Sequence, residues 1–500
     1  MTNLHAAVAP MTVKLSAETL AQLPDKVARP NYRQADLTAG ILHFGVGNFH
    51  RAHQAVYLDD LFAAGLDHDW GLVGAGVFES EKILRQKLAS QDFLTTVVEQ
   101  DSGHMEARVT CAMIDFLMPG DGAAIVAKLG DPAIRIVSMT ITEGGYFIDP
   151  ASGKFNPKHP DIAADAANPD NPKTVFGLII AGLARRRAEK TAPFTVMSCD
   201  NIPHNGHVAS DAVIGLARLG DPELAGWIEA NVAFHNGMVD RITPATSDRE
   251  RGVLREDFGV EDNWPVFCEP FRQWVLEDKF TAGRPALEKV GVQFVADVSP
   301  FELMKIRILN GGHATIAYPA GLMDIHFVHE AMQEKLVRGF LEKLERDEII
   351  PTVPPVPGVV LDEYYELIDR RFSNPKIGDT VRRLCLDGSN RQPKFIIPTI
   401  ADRLKAGKSI DGLALESALW CRYCFGTTDS GAVIEPNDPN WERLQATARD
   451  AHDDASAWLA MADIYGEVGK SPVFATAFAS HLAMLWETDA RQTLTRYLAS

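Results

Sequence analysis

The chain has 500 residues, 46% of them hydrophobic and 23% charged, and a formal net charge of −18. That length holds two or three domains with cores of their own, and that balance describes a folded globular protein rather than a disordered one. The acidic excess argues against general nucleic-acid binding and against anionic membrane surfaces. Met1 to Asp25 has no basic segment followed by an apolar run, so no secretory signal is expected, and no apolar stretch reaches the roughly 18 residues of a membrane span. Six cysteines in 500 residues do not make a disulfide scaffold. Cys421 and Cys424 form a lone C-x-x-C in a predicted helix, Leu413 to Phe425; it lacks the second half of a zinc site and is read as buried thiols. The expected compartment is the cytoplasm.

Residues 1–38 read as a loosely structured lead-in with a short helix near Ser16 to Gln22. The strand beginning at Gly40 runs into Gly45-Val-Gly47-Asn-Phe49-His50-Arg51, then a predicted helix, Phe49 to Ala64, then a strand, Gly71 to Gly76. Strand, glycine pair, helix and strand in that order open a Rossmann-type dinucleotide-binding domain. Gly45 and Gly47 match its first two glycines; His50 stands where the third would be, so the helix is expected to sit less tightly on the strand. Glu79 and Glu81 follow the second strand, where an acid holds the adenosine ribose. They favour NAD over NADP because a carboxylate repels a 2′-phosphate, with Lys82 tempering that effect and the first turn of a helix as the plain alternative.

The α/β alternation continues. Strands are predicted over Leu94 to Glu99, Arg108 to Phe116 and Ile134 to Thr142, the last running into Glu143-Gly-Gly-Tyr146. Residues 147–173 read as a long surface loop, and Val175 to Arg186 as a helix. The strand at Phe194 ends in Asp200-Asn201. Asn201 then faces the same cleft as Gly45 and Glu143, where its amide can donate to a carbonyl or alkoxide; an Asx turn is the structural alternative. Helices follow near Val208 to Leu219 and Pro222 to Ala233, then an extended segment around Asp240, then an irregular stretch from Gly252 to Asp297.

A boundary within 288–298 divides residues 1–295 from a mainly α-helical second domain, 296–500. That domain opens with Ser299-Pro-Phe-Glu302-Leu-Met-Lys305-Ile-Arg-Ile-Leu-Asn310-Gly-Gly-His313. Ser299, Pro300 and Glu302 make a helix start with a capping box. At about 100° per residue, Glu302, Asn310 and His313 fall roughly 60°, 140° and 80° from Lys305, in one sector. Leu309 and Ile306 share that sector, so it should be partly buried, and burial draws a lysine toward the range of a general base. Gly311-Gly312 suggests a close approach to the backbone. Further helices are predicted at Val328 to Arg346, Asp362 to Arg371, Gly378 to Leu386, Pro398 to Lys405, Asn440 to Ala448, Ala455 to Ile464 and Pro472 to Trp486. Arg383 to Phe395 reads as a loop that closes on a polar ligand, or as a solvated connector.

Taken together, Gly45-Val-Gly-Asn-Phe-His-Arg51-Ala-His-Gln, Thr142-Glu143-Gly-Gly-Tyr, Ser198-Cys-Asp-Asn201-Ile-Pro-His-Asn-Gly, Asp240-Arg-Ile-Thr-Pro, Lys305 with Asn310 and His313, and Asp387-Gly-Ser with Pro393-Lys-Phe resemble the polyol-specific long-chain dehydrogenases, the mannitol 2-dehydrogenase family. The resemblance spans about residues 35–430. It implies a metal-independent, NAD(P)-dependent alcohol dehydrogenase with a small polyol or ketose substrate and a monomeric state. It makes Lys305 the general base, Asn201 and Asn310 an oxyanion hole, and His313 the group that orients the reacting oxygen. Asp240, Arg383 and Arg391 would bind the other hydroxyls, Glu302 would relay the proton, and Gly45, Gly47, Phe49, Arg51, Glu79, Glu81 and Glu143 would hold the cofactor. Ser80 stands where a second acid occurs in NAD-using members, with Glu81 as its stand-in. The leading expectation is oxidation of D-mannitol to D-fructose. The alternatives are an arabinitol or sorbitol dehydrogenase, a fructuronate or tagaturonate reductase, in which a carboxylate substrate should bring an extra cation, and a non-catalytic NAD sensor.

Overall fold

The computed structural model describes residues 12–149 and 153–500. The expectations for residues 1–11, and for 150–152 of the predicted surface loop, lie outside the described residues. The chain divides into two compact units, Met1–Val298 and Ser299–Ser500.

The first unit is built on a six-stranded sheet: β1 (Ala39–Phe44), β2 (Gly71–Ala75), β3 (Met113–Phe116), β4 (Ile136–Met139), β5 (Thr195–Ser198) and β6 (Phe234–His235). All are parallel and lie in the order β3-β2-β1-β4-β5-β6, with β1 the central strand on which the order reverses. This is a doubly wound dinucleotide-binding sheet, and ligands bind such sheets beyond the carboxyl ends of the strands at the reversal. The strands are apolar because helices cover both faces. Leu42, Phe44, Val137 and Val196 pack on one side with Phe176, Ile179 and Leu183; Ile41, Leu72, Ile136 and Met197 pack on the other with Leu58, Phe62 and Trp274. Each such side chain, fully buried, contributes about 1.5–3 kcal/mol.

Several expectations need correction. The predicted strand Arg108 to Phe116 is two strands, Met105–Thr110 and β3, in different sheets. The helix after Gly47 is interrupted at His53 (φ −120°, ψ −86°), leaving Asn48–Ala52 and Gln54–Ala63. The predicted loop 147–173 contains the helix Pro160–Ala167, started by a proline at a first-turn position. The stretch from 252 is not irregular: Ser247 and Glu250 form a capping box for the helix Asp248–Phe258, which stops at Gly259 (φ +66°). Gly237–Asp240 then pairs antiparallel with Gln273–Glu277, and Gln293–Val295 extends that small sheet.

The second unit is helical. Gly311–Leu322 is buried along most of its length, with Lys335–Leu344, Val381–Leu384 and Asp411–Cys424 packed on it; Asp411–Cys424 also packs on Pro472–Glu487. Predicted Val328 to Arg346 breaks at Glu334 and ends in a π-helical turn, Glu345–Ile349. The predicted loop at 383–395 is a helix over Gly388–Phe395, entered through Asp387 in the left-handed region (φ +60°). A last helix, Ala490–Ala499, capped by Asp489, has no counterpart in the sequence reading. Cys421 and Cys424 are buried, and burial pushes both thiols up. Among the described residues no helix is long and apolar enough to cross a membrane.

Candidate active site

In the first unit, the turn after β1 needs its glycine. Gly45 sits at φ +88°, and a Cβ there would collide with the carbonyl oxygen of Thr140, the residue after β4. Neither condition admits another residue without strain. Thr140 Oγ1 donates to the Gly45 carbonyl at 2.7 Å, and His43 Nε2 lies 3.2 Å from the same oxygen. Gly47 leads into Asn48–Ala52. His50, in place of a third glycine, stacks on His43 at 3.5 Å between ring centres, so helix and strand are joined through two neutral imidazoles. Burial pushes His43 down to about 3 and His50 well below its ordinary value. Phe49 is half-buried and stacks on His53 at 4.8 Å.

Two of the residues expected at the cofactor also hydrogen-bond to the protein itself. Arg51 is buried; its guanidinium donates to the Trp264 carbonyl (2.5 Å) and to Asn48 Oδ1 (2.7 Å). Glu81 accepts the backbone N–H groups of Val77 and Phe78, each at 2.8 Å, and so organises the loop after β2 from within. Glu79 is the exposed acid there, 2.7 Å from Lys82 Nζ.

Beyond β4 and β5, Asp200 joins two loops. Its carboxylate accepts from Ile141 N (2.9 Å), Thr142 N (2.9 Å) and the Tyr146 hydroxyl (2.7 Å), and the same hydroxyl lies 2.5 Å from Ser198 Oγ. Burial raises the Asp200 carboxyl above its usual range. Thr142 is held at φ +64°, ψ 165°. That region is nearly confined to glycine, and a non-glycine residue there costs of order 1–3 kcal/mol. Glu143 follows Thr142 and is exposed at the start of the turn Glu143–Tyr146, which ends in buried Tyr146; Asn201 follows Asp200 and is exposed. Asn205 donates to the carbonyls of Asp200 (3.1 Å) and Gly237 (2.7 Å), tying the Asn201 loop to the strand that ends in buried Asp240. Asp200 and Asn205 lie inside a motif the sequence singles out, but nothing in their residue types separates an anchor from a contact.

In the second unit, the segment from Ser299 is not a continuous α-helix. Ser299–Met304 and Gly311–Leu322 flank a π-helical segment, Lys305–Asn310. In a π-turn the backbone bonds run i→i+5, so residues five apart come to nearly the same face. Lys305 and Asn310 are five apart. The α-helical wheel that separates them by about 140° therefore understates how closely they are aligned. Lys305 is 7% exposed, Asn310 8% and Glu302 7%. Arg307, on the same segment, donates to the Thr352 carbonyl and pairs with Asp402.

The His313 ring stacks on Phe372 (4.3 Å between centres, 19° between planes), and its Nε2 is buried with no hydrogen-bond partner among the described residues. Burial, then the positive charges of Arg383, Arg371, Arg391 and Lys305, drive its pKa well down. A neutral imidazole with an unengaged nitrogen, in the positive field of those residues, is suited to hold an oxygen that becomes negative. Arg383 is held in a fork by Asp379, and Arg391 donates to the carbonyls of Arg383 (3.3 Å) and Leu384 (3.1 Å). The second unit thus gathers Lys305, His313, Arg383 and Arg391, as the sequence suggests, and adds Arg371 and Phe372. Those two close the helix Leu361–Phe372, where arginines read as ordinary complements to a helix C-terminus. Behind Gly312, where a Cβ would meet Glu345 Oε1 at 3.2 Å and the Phe372 ring at 3.3 Å, Glu345 is fully buried. Neither of its oxygens has a hydrogen-bond partner among the described residues, and burial holds the acid well above its usual range.

Known proteins match this arrangement over nearly its whole length. Residues 39–289 match the mannitol dehydrogenase Rossmann domain, and residues 297–486 the mannitol dehydrogenase C-terminal domain. Mannitol 2-dehydrogenase of Cereibacter sphaeroides is 59% identical over 475 residues, 95% of this chain and 99% of that protein. Mannitol 2-dehydrogenase of Phaeosphaeria nodorum is 40% identical over 98% of this chain and 86% of its own length. Among solved structures, Pseudomonas fluorescens mannitol 2-dehydrogenase, in a ternary complex with NAD and D-mannitol, aligns with a TM-score of 0.88 at 43% identity, covering 98% of this chain and 100% of that one. A substrate-free D-sorbitol dehydrogenase aligns with a TM-score of 0.88 at 36% identity, covering 96% of this chain and 100% of its own. The chain belongs to the mannitol dehydrogenase family.

Proposed function

We propose that this polyol dehydrogenase oxidises a secondary alcohol of D-mannitol to the ketone of D-fructose, with NAD as the hydride acceptor and Lys305 as the general base. The observation that carries this reading is the π-turn: it turns buried Lys305 and buried Asn310 toward one face, three residues ahead of His313, whose Nε2 is unengaged. Bound NAD supplies the acceptor for hydride. The glycine turn fits a pyrophosphate at Gly47, which is exposed and where a Cβ would meet nothing nearer than the Gly45 carbonyl oxygen at 3.9 Å, so the backbone there is open to close approach. Gly45, Gly47, Phe49 and Glu143 would line that side. Exposed Glu79 favours NAD over NADP by repelling a 2′-phosphate, although Lys82 offsets part of the effect.

Lys305 takes the hydroxyl proton as hydride leaves. The amides of Asn310 and Asn201 donate to the developing alkoxide, and His313 orients the reacting oxygen. Asp240, Arg383 and Arg391 bind the remaining hydroxyls, and Glu302 passes the proton onward. The donor set is one of amides and cations. Among the described residues no cluster of three or more His, Cys, Asp or Glu has a metal-binding arrangement.

A second reading has one observation in its favour. Arg371 adds a buried cation beside His313, as a sugar-acid substrate would want. The test is turnover with mannitol, sorbitol, arabinitol and mannonate, each with NAD and NADP. Fastest turnover with mannitol and NAD supports the first reading, fastest turnover with mannonate the second, and no turnover with any of them sinks both.

A further inference from the structure

Thr142 and Asp200 stand out in the first unit because one is strained and the other holds the two backbone N–H groups that lead into it. The Asp200 carboxylate accepts the N–H groups of Ile141 and Thr142 and the Tyr146 hydroxyl, so both the entry and the exit of the turn are tied to one side chain. Ser198 completes the net from the end of β5, through Tyr146 (2.5 Å) and the Asp200 amide (3.3 Å). A residue stays at φ +64° only where its surroundings over-determine it, and here those surroundings converge on Asp200. Its sequence neighbour is Asn201, and the neighbour of Thr142 is Glu143.

We propose that Asp200 is a positioning residue: it holds the strained Thr142 peptide against the end of β5, so that one carboxylate fixes the placement of both Glu143 and Asn201. This rests on the reading that places Glu143 at the cofactor and Asn201 at the reacting oxygen. Its chemistry follows from acceptor count. An ionised carboxylate offers two oxygens to three donors; an asparagine in its place offers one oxygen and turns an N–H toward an N–H. The turn then relaxes toward negative φ, and Glu143 and Asn201 move with it.

The experiment measures Asp200→Asn in the full chain by steady-state kinetics with mannitol and NAD and by NADH fluorescence titration. The expected result is a rise of about tenfold in the KM for NAD, a matching weakening of NADH binding, and a fall of about tenfold or more in kcat. Thr142→Gly is the diagnostic partner, since glycine takes φ +64° without strain. Alone it should leave activity within about twofold; combined with Asp200→Asn it should recover most of the lost cofactor affinity. A purely structural role for Asp200 would not be repaired by removing strain one loop away. If Asp200→Asn does not fold, Tyr146→Phe carries the test, with a shift of about threefold in the same direction and the same repair by Thr142→Gly. Kinetics within twofold of wild type for Asp200→Asn, or no recovery with Thr142→Gly, overturns the proposal. Asn201→Ala separates this from the site reading: undiminished kcat in that variant would refute the role of Asn201 whatever Asp200 does.

Discussion

The turn at Gly45 and the segment Lys305–Asn310 solve opposite problems. At Gly45 the backbone itself must pass close to a neighbour, and the solution is the removal of a side chain: positive φ, no Cβ, and the Thr140 carbonyl where a Cβ would stand. At Lys305–Asn310 side chains five residues apart are brought toward one face, and the device is a widened backbone turn made from residues equally at home in an α-helix. The first device is sensitive to one added methyl group. The second is sensitive to what its residues carry and to what packs behind them.

Substitutions should separate the two devices. Lys305→Ala should have the largest effect, a loss of about 10²–10⁴ in kcat with NADH binding intact by fluorescence titration. Near-normal turnover at neutral pH would remove Lys305 from the role of base. Gly45→Ala should do the reverse. The KM for the cofactor should rise by tenfold or more and the melting temperature should fall, because the left-handed backbone and the Thr140 collision act together at a cost of about 1–3 kcal/mol or more. Retained cofactor affinity there would mean that the turn is not a phosphate cradle.

Phe372→Leu should be milder. Losing the ring stacked on His313 should lower kcat/KM for the polyol about tenfold and spare the KM for NAD, and Phe372→Tyr should keep the wild-type values. An equal effect on the cofactor KM would point to general loosening of the second unit.

Glu345→Gln should have the smallest effect on turnover, and its effect on stability grows with pH. Burial holds the Glu345 carboxyl well above its ordinary 4.5. Below pH 4.5 the folded and unfolded chains both carry the proton, and the acid costs nothing. As pH rises from there toward the folded-state value, the unfolded chain ionises and the folded one does not, so stability falls by up to about 1.4 kcal/mol per pH unit. Glutamine cannot ionise. The variant should therefore gain on wild type as pH climbs from 5 to 8, read as a widening gap in melting temperature. A constant gap would mean that the carboxyl behind Gly312 is wet or charged.

The same contrast explains what could be read from the chain. Gly45, Gly47 and the strand, helix and strand around them are legible because a glycine requirement leaves a glycine, and a buried parallel strand leaves an apolar run. Lys305, Asn310 and His313 are legible as a cluster of polar residues on an apolar helix. The π-turn that aligns two of them is not, since Lys-Ile-Arg-Ile-Leu-Asn is equally at home in an α-helix and only packing decides between them. Arg51 and Glu81 show the other limit. A cation and an acid beside a nucleotide loop look like ligand contacts, and nothing in the sequence shows that a carbonyl more than 200 residues away in one case, and backbone amides three and four residues away in the other, also bind them. Arg371 and Phe372 are invisible because their meaning depends on a helix that returns to His313 from some 60 residues downstream. Cys111 and Ala112, which divide one predicted strand between two sheets, carry no turn signal at all.

The six cysteines have a consequence for experiments. All are buried and unpaired, and burial raises each thiol, so the reactive thiolate is scarce in the native protein. Cys111, Cys199 and Cys268 belong to the first unit; Cys385, Cys421 and Cys424 belong to the second. An alkylating reagent added to the native enzyme therefore reports on opening of the core rather than on the surface. The identity of the labelled cysteine tells which unit opened, a built-in pair of clocks that needs no engineered probe.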